Sequence, residues 1–259
     1  IDIGFNLAIL LNLKHVWHLR EYIDLDHGMD IYGGLNEYKI KIKSSSHIVC
    51  ITEGIAKHFG VEAKAFVLYD AVRKNSKLIS SSQLKNYFLF CGSLTKGKGV
   101  ENAIIAFHQV YSNNDNLRLL IVGSGKLKYL NYLKKMVKGL NLQNNVEFLG
   151  FRDDIDVLMS NALSFLMCSR NEALGRVTVE AMLNKCVVIG YNSAGTAELI
   201  KHGETGFLYH KIEQLVAFMS FIIKADNLDI IRENAYEFAS QNFLEDKFGR
   251  KLFDYYNSI

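Results

Sequence analysis

The sequence has 259 residues, of which 49% are hydrophobic and 22% are charged, and its net charge is +3. This composition is typical of a folded protein with a buried core and excludes an intrinsically disordered chain. The charge is too small to favour nucleic acid as a partner, although it leaves weak attraction to an anionic membrane surface open. The longest apolar stretches span about nine residues, whereas a membrane-spanning helix needs about 20.

Four isolated cysteines and scattered histidines give no sign of a metal site. Cys50, Cys91, Cys168 and Cys186 form no C-x-x-C pair, which predicts reduced thiols in a cytosolic protein and disfavours a disulfide framework or a zinc site. The histidines lack metal-ligand spacing, so we expect no metal. The sequence also contains no proline and opens with Ile1 inside an apolar pattern, which predicts a fragment or a processed product.

The residues before position 74 alternate between short apolar runs and helical patterns. We expect strands at 15–19, 48–51 and 65–68, and helices at 32–43 and 53–59. Three strands make a poor domain alone, so residues 1–73 are predicted to be a partial N-terminal domain whose opening βα units are missing. The polar run 74–85, rich in Ser and Lys, is predicted to be a linker.

From residue 86 onward, apolar strands alternate with amphipathic helices. The predicted strands are 87–91, 118–122, 146–149, 164–168 and 187–191, and the predicted helices are 100–111, 127–140, 155–161 and 176–184. This alternation predicts a doubly wound, Rossmann-like parallel sheet over residues 86–240, with ligands at the carboxyl ends of the strands. Two helices are expected over 228–259, and the last segment, 241–259, is predicted to pack back toward the N-terminal domain.

The most informative segment is 168–180, where a predicted strand ends, a loop follows and a helix begins near Arg176. Gly175 allows close approach to the backbone, and the free amides of the helix start would suit a diphosphate. Glu180 lies on the new helix, where its carboxylate can accept hydrogen bonds from two ribose hydroxyls. Glu172 lies in the loop, where it can bind hydroxyls of a sugar placed beyond the phosphates.

Glu172 through Glu180 match the E-x7-E motif of the family 4 retaining glycosyltransferases of GT-B fold. The surrounding sequence resembles that family too, closely from residue 88 to the C-terminus and more loosely over 15–72. The matching segments near the motif are 90–94, 98–100, 122–125, 146–150, 180–182, 187–190, 192–200 and 203–208. The resemblance implies an α/β fold of GT-B type. It consists of a doubly wound C-terminal domain that binds a nucleotide sugar and an incomplete Rossmann-like N-terminal domain.

The resemblance also assigns roles to particular residues. Glu180 would hold the ribose, Glu172 would contact the transferred sugar, and Lys98 would neutralise the diphosphate as it leaves. The backbone of Phe151 and Arg152 would frame the base.

Further donor contacts would come from the phosphate loop at Gly92 and Ser93 and from the amides of Gly175, Arg176 and Val177. His18, in the N-terminal domain, best matches a histidine that approaches the donor sugar in this family. Ser93 is a departure, because the family usually has Arg there. The loss of one charge-assisted contact would cost about 1.5–3 kcal/mol, unless Arg152 or Arg176 replaces it.

The predicted activity is retaining transfer of a hexose from a UDP-sugar, without cofactor or metal. The segment around Glu172 resembles enzymes of bacterial capsule or exopolysaccharide synthesis. This resemblance implies a glycan or lipid-linked acceptor and a cytoplasmic protein with peripheral contact at the inner membrane face. Two alternatives stay open: a truncated module that binds nucleotide sugar without transfer, and a UDP-sugar 2-epimerase of the same fold.

Two nucleotide motifs are incomplete and disfavour other classes of protein. Residues 92–98 have the spacing of a Walker A loop, but Gly99 stands where a Ser or Thr should hold magnesium. Residues 123–125 lack the third glycine of a dinucleotide fingerprint. An ATPase and an NAD-binding enzyme are therefore both disfavoured.

Overall fold

The computed structural model describes residues 3–28, 30–31, 33–73, 86–111 and 116–259. The strands within these ranges are β1 (Val16–Leu19), β2 (His47–Cys50), β3 (Ala65–Val67), β4 (Tyr87–Cys91), β5 (Arg118–Val122), β6 (Val146–Gly150), β7 (Ser164–Met167), β8 (Val188–Tyr191) and β9 (Phe207–Tyr209). The α-helices are α1 (Ile3–Leu11), α2 (Asp24–His27), α3 (Gly34–Ser44), α4 (Glu53–Phe59), α5 (Val100–Val110), α6 (Leu127–Gly139), α7 (Ile155–Asn161), α8 (Arg176–Leu183), α9 (Ala194–Leu199), α10 (Ile212–Lys224), α11 (Asp229–Asn242) and α12 (Glu245–Asn257). A 3₁₀ turn spans Lys96–Lys98.

Six strands form one parallel sheet, here called the C-terminal sheet, in the order β6-β5-β4-β7-β8-β9. The chain builds outward from β4 to β6 and then returns to β7 on the other side of β4. The loops after β4 and β7 therefore diverge at the carboxyl edge of the sheet, where a crevice opens. The predicted doubly wound arrangement is confirmed.

The remaining strands form a second parallel sheet, here called the N-terminal sheet, in the order β1-β2-β3. All eight strands predicted from the sequence are present, and their ends lie within one residue of the expected positions. The predicted linker 74–85 lies outside the described residues. The domain bounds stay a prediction, although the chain does form two separate sheets.

The end of the chain returns to the N-terminal sheet. The amide of Val72 donates a hydrogen bond to the carbonyl of Phe243 at 2.7 Å, and Val72 pairs with Leu244 in an isolated parallel bridge. On α12, the ring of Tyr255 stacks on Phe66 of β3 with a centroid separation of 4.5 Å. The strands and helices of both sheets share one buried apolar cluster that includes Trp17 and Phe165.

Helices α1, α2, α9 and α10 and strand β9 were not predicted. The segment of α10 shows as an apolar run in sequence, yet its buried residues Leu215, Met219 and Ile222 follow helical spacing. Helix α9 and strand β9 are six and three residues long, too short for hydrophobic periodicity to distinguish. Within the described part of the chain, no helix combines the length and apolarity that spanning a membrane requires.

A close backbone contact joins the loops after β4 and β7. Gly99 has a φ of +68°, and a Cβ placed there would lie 2.3 Å from the carbonyl oxygen of Cys168. The neighbouring Gly97 has open space around the same position. A side chain is thus excluded at Gly99 by both conformation and contact.

Replacement of Gly99 by Ala is expected to lower the free energy of unfolding by at least about 2 kcal/mol, because strain at positive φ adds to the backbone clash. Gly97→Ala is the matched control and should change it by less than about 0.5 kcal/mol. Urea denaturation measures both. Equal stabilities for the two variants would contradict the tight packing of these loops.

Candidate donor and catalytic site

A cavity of about 320 Å³ opens between the two sheets at the carboxyl edge of the C-terminal sheet. The loops after β4 and β7 and the start of α8 supply most of its wall, and the N-terminal sheet supplies the rest. Seven residues predicted from the sequence line it: Gly92, Ser93, Lys98, Glu172, Gly175, Arg176 and Val177. Ser169 donates a hydrogen bond to the carbonyl of Gly97 at 3.3 Å and so ties the two loops together.

Lys98 and Glu172, predicted separately, form an ion pair in the cavity. The Nζ atom of Lys98 lies 2.7 Å from Oε2 of Glu172. The Glu172 side chain is 17% exposed and that of Lys98 is 34% exposed, so the pair is partly shielded from solvent and is stronger than a surface pair. The cavity therefore holds a cation and a carboxylate at one point, each able to bind a part of a charged, hydroxyl-rich ligand.

Gly175 shapes the start of α8. Its φ of +87° is a left-handed conformation that favours glycine, and it provides no side chain to cap the helix. Arg176 and Val177 follow as the first helical residues, and both line the cavity. The positive end of the helix dipole thus faces the cavity, an arrangement that favours anions.

Glu180 lies one turn further along α8, outside the residues that line the cavity. Its burial raises the pKa of the carboxyl, while Arg176 opposes the shift and Asp156 adds to it. Burial, assisted by the charge of Glu180, raises the pKa of Cys91 to about 11. Cys91 lines the cavity and is therefore a neutral thiol near pH 7, unsuited to act as a nucleophile.

His18 projects from β1, where Trp17 and Leu19 on either side are buried and His18 is exposed. Its Nε2 lies 2.7 Å from the hydroxyl of Tyr256 on α12. The neighbouring protein atoms desolvate part of the ring, and this partial desolvation and the charge of Arg20 lower the pKa of His18, while Asp70 partly offsets the shift. His18 does not line the cavity; Arg20 does.

Arg20 and Asp70 form an ion pair that lines the N-terminal side of the cavity, together with Glu21 and Ile51. None of these four residues was predicted. The pair joins residues 50 positions apart in the sequence, and no motif marks such a contact. The one sequence signal for this ion pair is that each partner is a polar residue shortly after a predicted strand: Arg20 follows β1 and Asp70 follows β3.

Phe151 and Arg152 follow β6, as the sequence predicted, but neither lines the cavity. Phe151 is 79% exposed, and Arg152 makes a two-point ion pair with Asp154 at 2.8 and 2.6 Å. The guanidinium of Arg152 is therefore already paired, whereas Arg176 lines the same cavity as Ser93. Among the described residues, no group of three or more His, Cys, Asp or Glu side chains could hold a metal ion.

Two parallel sheets, with the start of a helix and a Lys–Glu ion pair lining the crevice between them, define an α/β protein of GT-B type. The chain belongs to the glycosyl transferases group 1 family, whose model matches residues 73–238. Solved structures support the fold. The Anabaena protein Alr3699/HepE, solved in complex with UDP, superposes with a TM-score of 0.87 at 23% identity over 99% of this chain and 75% of its own.

Curated relatives match along shorter stretches. N-acetyl-alpha-D-glucosaminyl L-malate synthase of Bacillus anthracis is 32% identical over 49% of this chain and 32% of its own length. The capsular polysaccharide biosynthesis glycosyltransferase CapM of Staphylococcus aureus is 26% identical over 80% of this chain and 55% of its own. The chain thus spans about a third to about half of the length of these two relatives.

Proposed function

We propose that this chain carries the donor site of a retaining glycosyltransferase that moves a hexose from a nucleoside-diphosphate sugar to an acceptor hydroxyl. The observation that carries the proposal is the Lys98–Glu172 ion pair, 2.7 Å long, beside the uncapped start of α8. A diphosphate requires cations and free amides, and a sugar requires a hydrogen-bond acceptor. The cavity offers all of them within one wall.

The residues of the cavity would act mainly by positioning and by charge stabilisation. Lys98 would move from Glu172 to the diphosphate, whose negative charge grows as the bond to the sugar breaks. Glu172, released from Lys98, would accept hydrogen bonds from the sugar hydroxyls. The acceptor hydroxyl would attack from the face that the diphosphate leaves, and a phosphate oxygen would take its proton, so no enzyme nucleophile is needed.

The donor is proposed to be a UDP-sugar, bound without metal or cofactor. Structural similarity to a protein crystallised with UDP supports this choice. Arg176 would supply the cation that Ser93 lacks, since both line the cavity. Glu180 would bind the ribose, and the backbone of Phe151 and Arg152, two exposed residues, would meet the base.

The acceptor is proposed to be a glycan or a lipid-linked sugar, in the synthesis of capsule or exopolysaccharide at the inner membrane face. Similarity to CapM supports that context. A second cavity of about 490 Å³ shares Lys98 and Ser169 with the first and extends to Tyr132 and Asn102. An acceptor in this second cavity would reach the sugar beside Lys98.

Thermal shift with a panel of UDP, GDP, ADP and their sugar conjugates, in the presence of EDTA, tests the donor site. A saturating UDP-sugar at about 100 times its dissociation constant should add about 2.7 kcal/mol, which raises Tm by several degrees for a chain of this size. We expect UDP compounds to give the largest shift. The absence of any shift across the panel would contradict the proposed donor site.

Product analysis separates the proposal from its two alternatives. Incubation with the bound UDP-sugar and a glycan acceptor should yield transferred sugar with retained anomeric configuration. Binding without any product would indicate the module that binds nucleotide sugar without transfer. An isomerised nucleotide sugar would indicate a 2-epimerase.

A further inference from the structure

Three side chains, those of Glu198, Thr52 and Asn171, make polar contacts between residues 3–73, here called the N-terminal sheet region, and one small part of the chain that forms the C-terminal sheet. They all reach either the loop 171–175, which carries Glu172, or the adjacent helix α9. Of the residues that make these contacts, Ala173 lines the donor cavity, whereas Glu198, Thr52 and Asn171 do not. Their convergence on the loop of Glu172 suggests that they control its position.

The first contact is made by Glu198 on α9. One carboxylate oxygen accepts hydrogen bonds from the amide of Glu53 at 3.0 Å and from the hydroxyl of Tyr69 at 3.1 Å. The other oxygen accepts from the amide of Gly54 at 2.7 Å. All three donors belong to the N-terminal sheet region, so a single carboxylate binds three groups across the interface. The charge of Glu198 also contributes, after burial, to the raised pKa values of Tyr22 and Tyr69.

The other two contacts reach the loop itself. The buried hydroxyl of Thr52 donates to the carbonyl of Ala173 at 3.1 Å and accepts from the amide of Ile55 at 3.3 Å. The side-chain amide of Asn171 donates to the carbonyl of Leu25 at 3.0 Å. These bonds flank Glu172 on both sides.

A backbone hydrogen bond joins α9 to the same loop. The amide of Gly195 in α9 donates to the carbonyl of Glu172 at 2.9 Å. Helix α9 therefore binds Glu172 at its first turn and the N-terminal sheet region at Glu198 in its last turn. A shift of the N-terminal region that breaks the Glu198 contacts would release a helix that is bonded directly to Glu172.

We propose that Glu198 is a positioning residue that holds Glu172 in place by tying α9 to the first amides of α4. The effect of Glu198 on catalysis rests on the proposed function, because Glu172 acts on the donor sugar only if the chain is a transferase. The effect of Glu198 on the position of the loop does not, since the contacts of Glu198 exist without a ligand. The proposed function and the structural link can therefore fail separately.

Hydrogen exchange measured by mass spectrometry tests the structural link on the full chain. In Glu198→Ala, we expect peptides that cover 53–55 and peptides that cover 171–176 and 193–199 to exchange at least about tenfold faster. Peptides from β5 and α6 should be unchanged. Glu213→Gln, which removes a charge from an exposed glutamate on α10, is the control and should leave all of these regions unchanged. Faster exchange confined to 53–55 would overturn the proposal, because Glu198 would then support only α4.

A milder variant covers the case in which Glu198→Ala does not fold. Tyr69→Phe removes one of the three bonds, and it should raise exchange at 171–176 in the same direction but by a smaller factor. An unchanged rate at 171–176 in this variant, with faster exchange near residue 69, would overturn the link.

Kinetics test the catalytic consequence in the same variants. UDP affinity should change by less than about threefold, because Glu198 does not line the donor cavity, while kcat for sugar transfer should fall about tenfold. Unchanged kcat in Glu198→Ala would overturn the positioning role even if exchange is faster. If the wild-type chain transfers no sugar at all, the proposed function fails and the exchange result alone decides the structural link.

Discussion

Replacement of Lys98 by Met is expected to lower kcat for sugar transfer about 100-fold to 1,000-fold. The expected size is that of losing one preorganised group that stabilises developing charge. Met keeps the length of the side chain but removes the ammonium that lies 2.7 Å from Glu172. Steady-state rates with a UDP-sugar and an acceptor measure the effect.

A lysine outside both cavities provides the control for this prediction. Lys128 on α6 has the same charge and is exposed, and it lines neither the donor cavity nor the second cavity. Lys128→Met should change kcat by less than about threefold. If both variants lose transfer equally, general positive charge and not the placement of Lys98 would explain the rate, and the assigned role of Lys98 would be wrong.

Replacement of Glu180 by Ala is expected to weaken UDP binding about 100-fold or more. Two hydrogen bonds from ribose hydroxyls to a carboxylate are each worth about 1.5–3 kcal/mol, and about 1.4 kcal/mol corresponds to a factor of ten in affinity. Isothermal titration calorimetry with UDP measures the change. Affinity that stays within about threefold of wild type would place the ribose elsewhere.

The raised pKa of Glu180 adds a dependence on pH with a definite sign. In the folded protein this carboxyl binds its proton more tightly than in the unfolded chain, so ionisation costs folding free energy as pH rises through its pKa. Glu180→Gln, which cannot ionise, should therefore be more stable than wild type at pH 7 while it binds UDP more weakly. In the wild type, UDP affinity should fall as pH drops through the raised pKa of Glu180, because the carboxylate is then protonated. UDP affinity of the Gln variant should not show this dependence on pH.

The strands were accessible from sequence because the apolar runs of β4 and β5 are continuous and bounded by polar residues. The helix starts at Val100 and Arg176 were equally clear, since Gly99 and Gly175 precede them. Helix α10 was missed because its apolar residues are too dense for one face to stand out in the sequence. Helix α9 was missed because six residues give less than two full turns.

The candidate site was predictable where its residues are close in sequence, as with Glu172, Gly175 and Arg176. The pairing of Lys98 with Glu172 could not be foreseen, because local patterns do not reveal that two loops 74 residues apart meet at one edge of the sheet. The same holds for Arg20 and Asp70. The hydrogen bond between His18 and Tyr256, at the far end of the chain, could not be foreseen either, and the role of His18 at the donor sugar stays a prediction.

The parallel bridge between Val72 and Leu244 has a mechanical consequence. The chain leaves the N-terminal sheet just after Val72 and returns to it at Leu244, so two backbone segments run side by side where the sheets are joined. A pair of adjacent tethers permits bending about the line that contains them but resists twisting and sliding. Any relative motion of the two sheets should therefore follow a single clamshell-like arc. Such an arc widens or narrows the crevice between the sheets without sliding its two walls past each other.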